Sequence, residues 1–164
     1  MNSSSAPEPS FDALYRDVIL DHYRAPHGKA KLARVDARAD GMNPLCGDEV
    51  DVHIAVAADG TIEAVHLDSR GCAISVSSGS ILYDLIVGTT PAEARRILTA
   101  VKAVLHGGEL PTDPDLGDFD ALEGVKKFPV RIKCALLPWT TLDEALRDLE
   151  SRGNRTAESE GKQS

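Results

Sequence analysis

The sequence predicts an α+β fold: a small antiparallel β-sheet packed by helices. Three observations carry this. An amphipathic helical stripe opens the ordered part, two alternating segments joined at Asp59-Gly60 follow it, and the second half has helical periodicity with helix caps.

The first helix is expected over Phe11–Arg24. Phe11, Leu14, Tyr15 and Val18 recur at three- and four-residue steps and make one apolar stripe. Ser10 is placed to cap it and Pro26 to stop it. A polar stretch containing Gly28 and Gly41 comes next. Within Val50–Val56, the residues Val50, Val52, Ile54 and Val56 alternate with Asp51, His53 and Ala55. That period of two assigns the first set to the core face of a strand. Asp59-Gly60 is a strong hairpin signal, because such turns need positive φ, and Thr61–Ser69 is expected to return antiparallel. Leu32–Ala39 offers a third strand on a weaker pattern.

The remaining elements are helical. Ala73–Val87 carries Ile74, Ile81, Leu82, Leu85 and Ile86 on an apolar side, and Ser75, Ser77, Ser78 and Gly79 leave room for a close neighbour. Thr90-Pro91-Ala92-Glu93 is a capping box with proline at the first helical position. The helix it opens should reach His106 and end at Gly107-Gly108. Glu109–Asp120 reads as an acidic loop. A last helical region spans Pro129–Leu149. Pro138 should kink or break it, and Thr141 with Glu144 could cap a restart.

The length of 164 residues suits one domain, expected over residues 11–150. Residues 1–10 are Ser- and Pro-rich, and residues 151–164 contain one apolar side chain, Ala157. Both ends are therefore expected to be disordered tails. The net charge of −8 argues against nucleic-acid binding, which needs cations to neutralise phosphates. The longest apolar run, Ile54–Ala58, is far too short to span a membrane, so no membrane role is expected. The first ten residues have neither a basic start nor an apolar stretch, so no secretory signal is expected and a cytoplasmic setting is.

Three cysteines, Cys46, Cys72 and Cys134, make an odd count in such a chain. Metal or thiol chemistry in a reducing compartment is favoured over a disulfide framework. No two of them have the CxxC spacing. Cys46 lies in the loop Asn43-Pro44-Leu45-Cys46-Gly47-Asp48, flanked by turn formers that should leave its sulfur reachable. Cys72 follows Gly71 where a strand meets a helix, and free N–H groups at a helix start stabilise a thiolate. Asp48 is either an ordinary turn residue or a hard oxygen ligand beside a soft sulfur one. Cys134 falls on the last helical region, as a small buried hydrophobe or as a further ligand. Lys126, Lys127, Arg131 and Lys133 follow an acidic stretch. They read as a solvated helix face, or as a basic collar beside Cys134. None of the histidines His22, His27, His53, His66 and His106 is read as a metal ligand.

Asn-Pro-Leu-Cys-Gly-Asp at 43–48, Gly-Cys-Ala-Ile-Ser at 71–75 and Arg-Ile-Lys-Cys-Ala-Leu-Leu-Pro-Trp at 131–139 resemble the SufU branch of the IscU/NifU-like proteins. Tyr15-Arg-Asp-Val-Ile-Leu-Asp-His-Tyr23 is similar to that branch's first helix, and the likeness covers roughly Phe11 to Leu149. The resemblance implies an α+β, SufE/IscU-like fold. It implies one zinc ion held by Cys46, Asp48, Cys72 and Cys134, and Cys46 as the sulfur-accepting thiol. It implies a cysteine desulfurase of the SufS type as partner, and downstream iron–sulfur assembly proteins as recipients. Scaffold-type relatives usually carry histidine directly before the third cysteine, where this chain has Lys133. An ammonium has no lone pair to offer a metal, so Asp48 has to complete a four-coordinate site. The stretch from Cys72 to Cys134 also looks longer than in scaffolds, by a loop near Glu109–Asp120.

The function expected is zinc-dependent sulfur transfer: a sulfurtransferase that accepts persulfide sulfur, activates the desulfurase and serves iron–sulfur cluster assembly. The alternatives are a scaffold holding an iron–sulfur cluster on the same ligands, and an interaction module with a structural zinc.

Overall fold

The computed structural model describes residues 11–163, with side chains over 15–153. The elements in chain order are α1 (Phe11–Arg24), β1 (Ala37–Asn43), β2 (Asp48–Val56), β3 (Ile62–Arg70), α2 (Ala73–Ile86), α3 (Pro91–Leu105), a run of 3₁₀ turns (Gly117–Lys127) and α4 (Pro129–Gln163). The tail expected over residues 1–10 lies outside the described residues.

The three strands form one antiparallel sheet in the order β1-β2-β3. Val50, Val52 and Ile54 of β2 turn inward as the alternation requires, and Ile62, Val65 and Leu67 of β3 join them. The β2–β3 register pairs Val52 with Leu67 and Ile54 with Val65, with an irregularity at Ala55/Val56 beside the turn. Asp59-Gly60 lies in a connection of several residues rather than a two-residue turn. Gly60 has φ +92° and donates its N–H to the Ala57 carbonyl at 2.9 Å.

The third strand begins later than expected. Ala37–Asn43 pairs with β2 from Ala37↔Ile54 to Asn43↔Asp48. Its inward face uses small residues, which give little hydrophobic alternation to read. A Cβ at Gly41 would overlap the Thr141 hydroxyl, so glycine there lets α4 approach β1 closely.

α4 lies across β1 and β2, α2 against β3 and α4, and α1 against α2 and the 3₁₀ turns. Trp139, Leu142 and Leu146 of α4 share one core with Ile81, Leu82 and Ile86 of α2 and with Phe119 and Leu122. Helix α3 is capped as expected: Thr90 Oγ1 accepts the Glu93 N–H at 3.1 Å, and Gly107 follows the C-cap with φ +105°.

Two expectations about the last helix are corrected. α4 runs through Pro138 without a break. Close by, the Ser78 hydroxyl on α2 donates to the Ala135 carbonyl at 2.6 Å and accepts the Trp139 indole N–H at 3.0 Å. These buried bonds brace the turn that proline weakens. Thr141 is not a cap; its hydroxyl donates back to the Leu137 carbonyl at 2.8 Å. The helix continues past Ser151 to Gln163. An Arg152–Asp148 pair at 3.0 Å, spaced i,i+4, supports its continuation.

Candidate metal centre

The β1–β2 connection builds the first corner of the site. The Asn43 side-chain oxygen accepts the Leu45 N–H at 3.1 Å, and its carbonyl accepts from Gly47 N–H at 2.8 Å and from Cys46 N–H at 3.3 Å. Gly47 takes φ +74°, a left-handed position that glycine tolerates. The tight turn lifts Cys46 to the surface, with Leu45 beside it 70% exposed. Asp48 is not a turn residue, as one sequence reading has it. It is the first residue of β2 and only 1% exposed.

The second corner is the β3–α2 junction. Cys72 is the N-cap of α2, and its backbone N–H donates to Asp48 Oδ1 at 2.9 Å. Gly71 has φ +148°, and a Cβ there would overlap the Asp48 carboxylate. The third corner is Cys134 on α4, fully buried.

The sulfurs converge on one carboxylate oxygen. Asp48 Oδ2 lies 3.2 Å from Cys46 Sγ and 3.4 Å from Cys72 Sγ. Cys46 Sγ and Cys134 Sγ are 3.5 Å apart. Cys46, Asp48 and Cys134 each place a donor atom within 4.8 Å of the other two, and Cys72 reaches the set through Asp48. Burial by itself would raise the Asp48 carboxyl. The Cys72 N–H and the thiols of Cys46, Cys134 and Cys72 outweigh it and hold the group below the usual carboxylate range. Burial, reinforced by the contacts with Cys46, Asp48 and Cys72, pushes the Cys134 thiol far above its ordinary value.

This arrangement fits zinc. A tetrahedral ion with the usual bond lengths spaces two sulfurs about 3.8 Å apart, and a sulfur and an oxygen about 3.5 Å apart. The three separations in the structure lie within a few tenths of an ångström of these values. Asn43 Nδ2, in the turn that carries Cys46, is the one buried side-chain polar atom without a partner among the described residues. It is a donor, as suits a turn beside a negatively charged centre. Cys46, Asp48 and Cys134 form the mutually close set, and Cys72, the fourth expected ligand, meets it at Asp48 without joining that mutual 4.8 Å spacing.

The basic residues do not form a single collar. Lys126 pairs with Glu123 at 3.1 Å. Lys127 and Arg131 join Arg16 of α1 along a groove of ≈ 660 Å³ that has Cys72 in its wall. Lys133 lines a separate groove under Met42 and Leu45. Exposed Leu45, Met42, Phe128 and Val130 add apolar surface. Among the described residues no helix is long and apolar enough to cross a membrane.

Several known proteins are similar to this chain along most of its length. The zinc-dependent sulfurtransferase SufU of Bacillus subtilis is 37% identical over 145 residues, covering 88% of this chain and 97% of the relative. The iron–sulfur cluster assembly scaffold protein IscU of Streptococcus pyogenes is 36% identical, covering 82% and 83%. Among solved structures, FiSufU of Fervidobacterium islandicum AW-1, described as an iron–sulfur cluster assembly scaffold protein for the SUF system, superposes with a TM-score of 0.73 at 30% identity, over 79% of this chain and 94% of that one. The N-terminal part of a NifU-like protein from Brucella abortus gives 0.77 at 26% identity, over 85% and 96%. The model of the NifU-like N-terminal domain matches residues 14–135, from the first helix through Cys134, and the chain belongs to that family.

Proposed function

We propose that this protein is a zinc-dependent sulfur-transfer protein: it accepts persulfide sulfur from a cysteine desulfurase and passes it on for iron–sulfur cluster assembly in the cytoplasm. The observation that carries the reading is the double position of Cys46. The residue is exposed, yet its sulfur lies 3.2 Å from Asp48 and 3.5 Å from Cys134. One residue thus belongs both to a metal-ligand set and to the exterior.

Cys46, Asp48, Cys72 and Cys134 would hold the zinc. The ion would keep the thiols deprotonated at neutral pH without redox chemistry of its own. The Cys46 thiolate attacks the terminal sulfur of the desulfurase persulfide. A new S–S bond forms on Cys46, the old one breaks, and the desulfurase cysteine leaves as a thiolate. The turn at Pro44–Gly47 lets Cys46 swing outward at little cost, while Cys72 and Cys134 stay fixed by packing. The exposed Leu45, Met42, Phe128 and Val130 around the centre, with Arg16, Lys127 and Arg131 alongside, supply a surface for a SufS-type desulfurase. Lys133, in the place where scaffold-type relatives usually carry histidine, supports transfer over scaffolding.

The test is turnover of a cysteine desulfurase with cysteine in the presence of this protein, with zinc measured on the same sample. Mass spectrometry should find one added sulfur on Cys46, none on a Cys46→Ser variant that still folds, and faster desulfurase turnover with the native chain. A protein that turns brown with iron and sulfide and takes no sulfur on Cys46 would establish the scaffold function instead. Sulfur found on Cys134 would move the acceptor role there.

A further inference from the structure

The geometry points to a second metal site, away from the cysteines. One imidazole nitrogen each from His22 and His27 and one carboxylate oxygen of Asp84 would hold a divalent ion of the imidazole-preferring class, such as zinc, cobalt or nickel. The three residues place a ligand atom each within 4.8 Å of the other two. They come from three places: the last turn of α1, the segment just after it, and the exposed side of α2.

The ligands are prepared in different degrees. His22 is buried, 5% exposed, and both its nitrogens are engaged. Nε2 is 2.9 Å from Asp118 Oδ2, and Nδ1 is 2.6 Å from the Ser80 hydroxyl. A carboxylate accepts only, so the proton of a neutral ring belongs on Nε2 and Nδ1 keeps its lone pair. Ser80 is free to donate to that lone pair, since its oxygen accepts the His27 backbone N–H at 2.9 Å. A carboxylate that fixes the tautomer of a histidine is the usual second layer of a metal centre. Asp118 is therefore a positioning residue, and an ion would replace the Ser80 hydroxyl proton on His22.

His27 and Asp84 form the open side. Their side chains are 47% and 41% exposed, and His27 Nδ1 lies 2.6 Å from Asp84 Oδ1. A tetrahedral ion needs about 3.3 Å between such a nitrogen and oxygen. The pair must therefore open by less than an ångström, which half-exposed side chains allow. On binding, the ring proton of His27 moves from Nδ1 to Nε2, and Nδ1 and the Asp84 carboxylate oxygen both become ligands. Two imidazoles with a carboxylate suit zinc, cobalt or nickel rather than magnesium or calcium. The result would be a pin between the end of α1 and α2, in a chain whose first helix also walls the groove at Cys72.

The experiment titrates zinc into protein that already carries one zinc per chain, followed by calorimetry and by the ring-nitrogen resonances of the histidines. A second equivalent should bind, with shifts confined to His22 and His27. His27→Gln and Asp84→Asn should each weaken this second event about tenfold or more, and Asp118→Asn about 10- to 100-fold through His22. The first zinc and sulfur acceptance on Cys46 should be unchanged in the His27 and Asp84 variants. No second equivalent would overturn the proposal, as would a second equivalent that both variants retain. Because His22 is buried, its replacement is left out, and the resonance shifts report on it in the native chain.

Discussion

The Asp48 carboxylate fills the space that a side chain on Gly71 would need. The glycine lets the strand end fold over the acid, so that Cys72 N–H reaches Asp48 Oδ1. Gly71→Ala should therefore damage the centre without touching a ligand. Backbone strain at this φ costs about 1–3 kcal/mol, and Asp48 must shift as well. Zinc per chain should fall and urea denaturation should show the lost stability. A variant with native zinc content and midpoint would separate the glycine from the site.

Removing zinc should loosen three separate parts of the chain together: the β1–β2 turn, the β3–α2 junction and α4. An ion present at a hundred times its dissociation constant adds about 2.7 kcal/mol. For a domain of this size that is roughly 5–10 °C in Tm. Calorimetry before and after chelation measures it, and a change within a degree or two would rule out a shared site.

The metal-free protein should also become less stable in alkali. The Cys134 thiol is held above its ordinary value in the fold. The folded chain then keeps a proton that the unfolded chain releases near pH 8.5. This contribution is whole below that pH and drains away as pH rises further. Thermal unfolding of the chelated protein from pH 7 to 10 should show a falling midpoint, whereas a Cys134→Ala chain should fall less. Alkylation of the same metal-free protein should label Cys46 first and Cys134 last, following their exposure.

Ser78→Ala tests what supports Pro138. It would strand the buried Trp139 indole N–H and remove the cross-helix bond to the Ala135 carbonyl. An unsatisfied buried group costs about 1–3 kcal/mol, so stability should drop by at least that much in urea denaturation. A neutral result would show that α4 passes the proline without help from α2.

Legibility followed range. The α3 caps and the β2–β3 pairing could be read because Thr90, Glu93, Gly107 and the alternating valines act on near neighbours. β1 was misplaced because its inner face is built from Ala37, Ala39 and Gly41, whose value lies in the approach of α4. The unbroken α4 was hidden because the brace at Ser78 is 57 residues away from Ala135. Local chemistry singled out Cys46, Asp48 and Cys72. Cys134 joined them only through family resemblance, since nothing in its own segment says which sulfur it meets. The cluster of His22, His27 and Asp84 was invisible for the same reason: the first two flank a helix end, and the third is 57 residues further along from His27.

Cys46 and Cys134 are 88 residues apart in sequence. A growing chain therefore carries its exposed thiol, its acid and Cys72 out of the ribosome well before the last donor exists. At ordinary elongation rates the delay is on the order of ten seconds. During that time any ion bound to the nascent chain has an incomplete ligand set. Coordination by all four proposed ligands would wait for α4 to be translated and docked, so the helix made after the other three donors would commit the chain to the proposed metal.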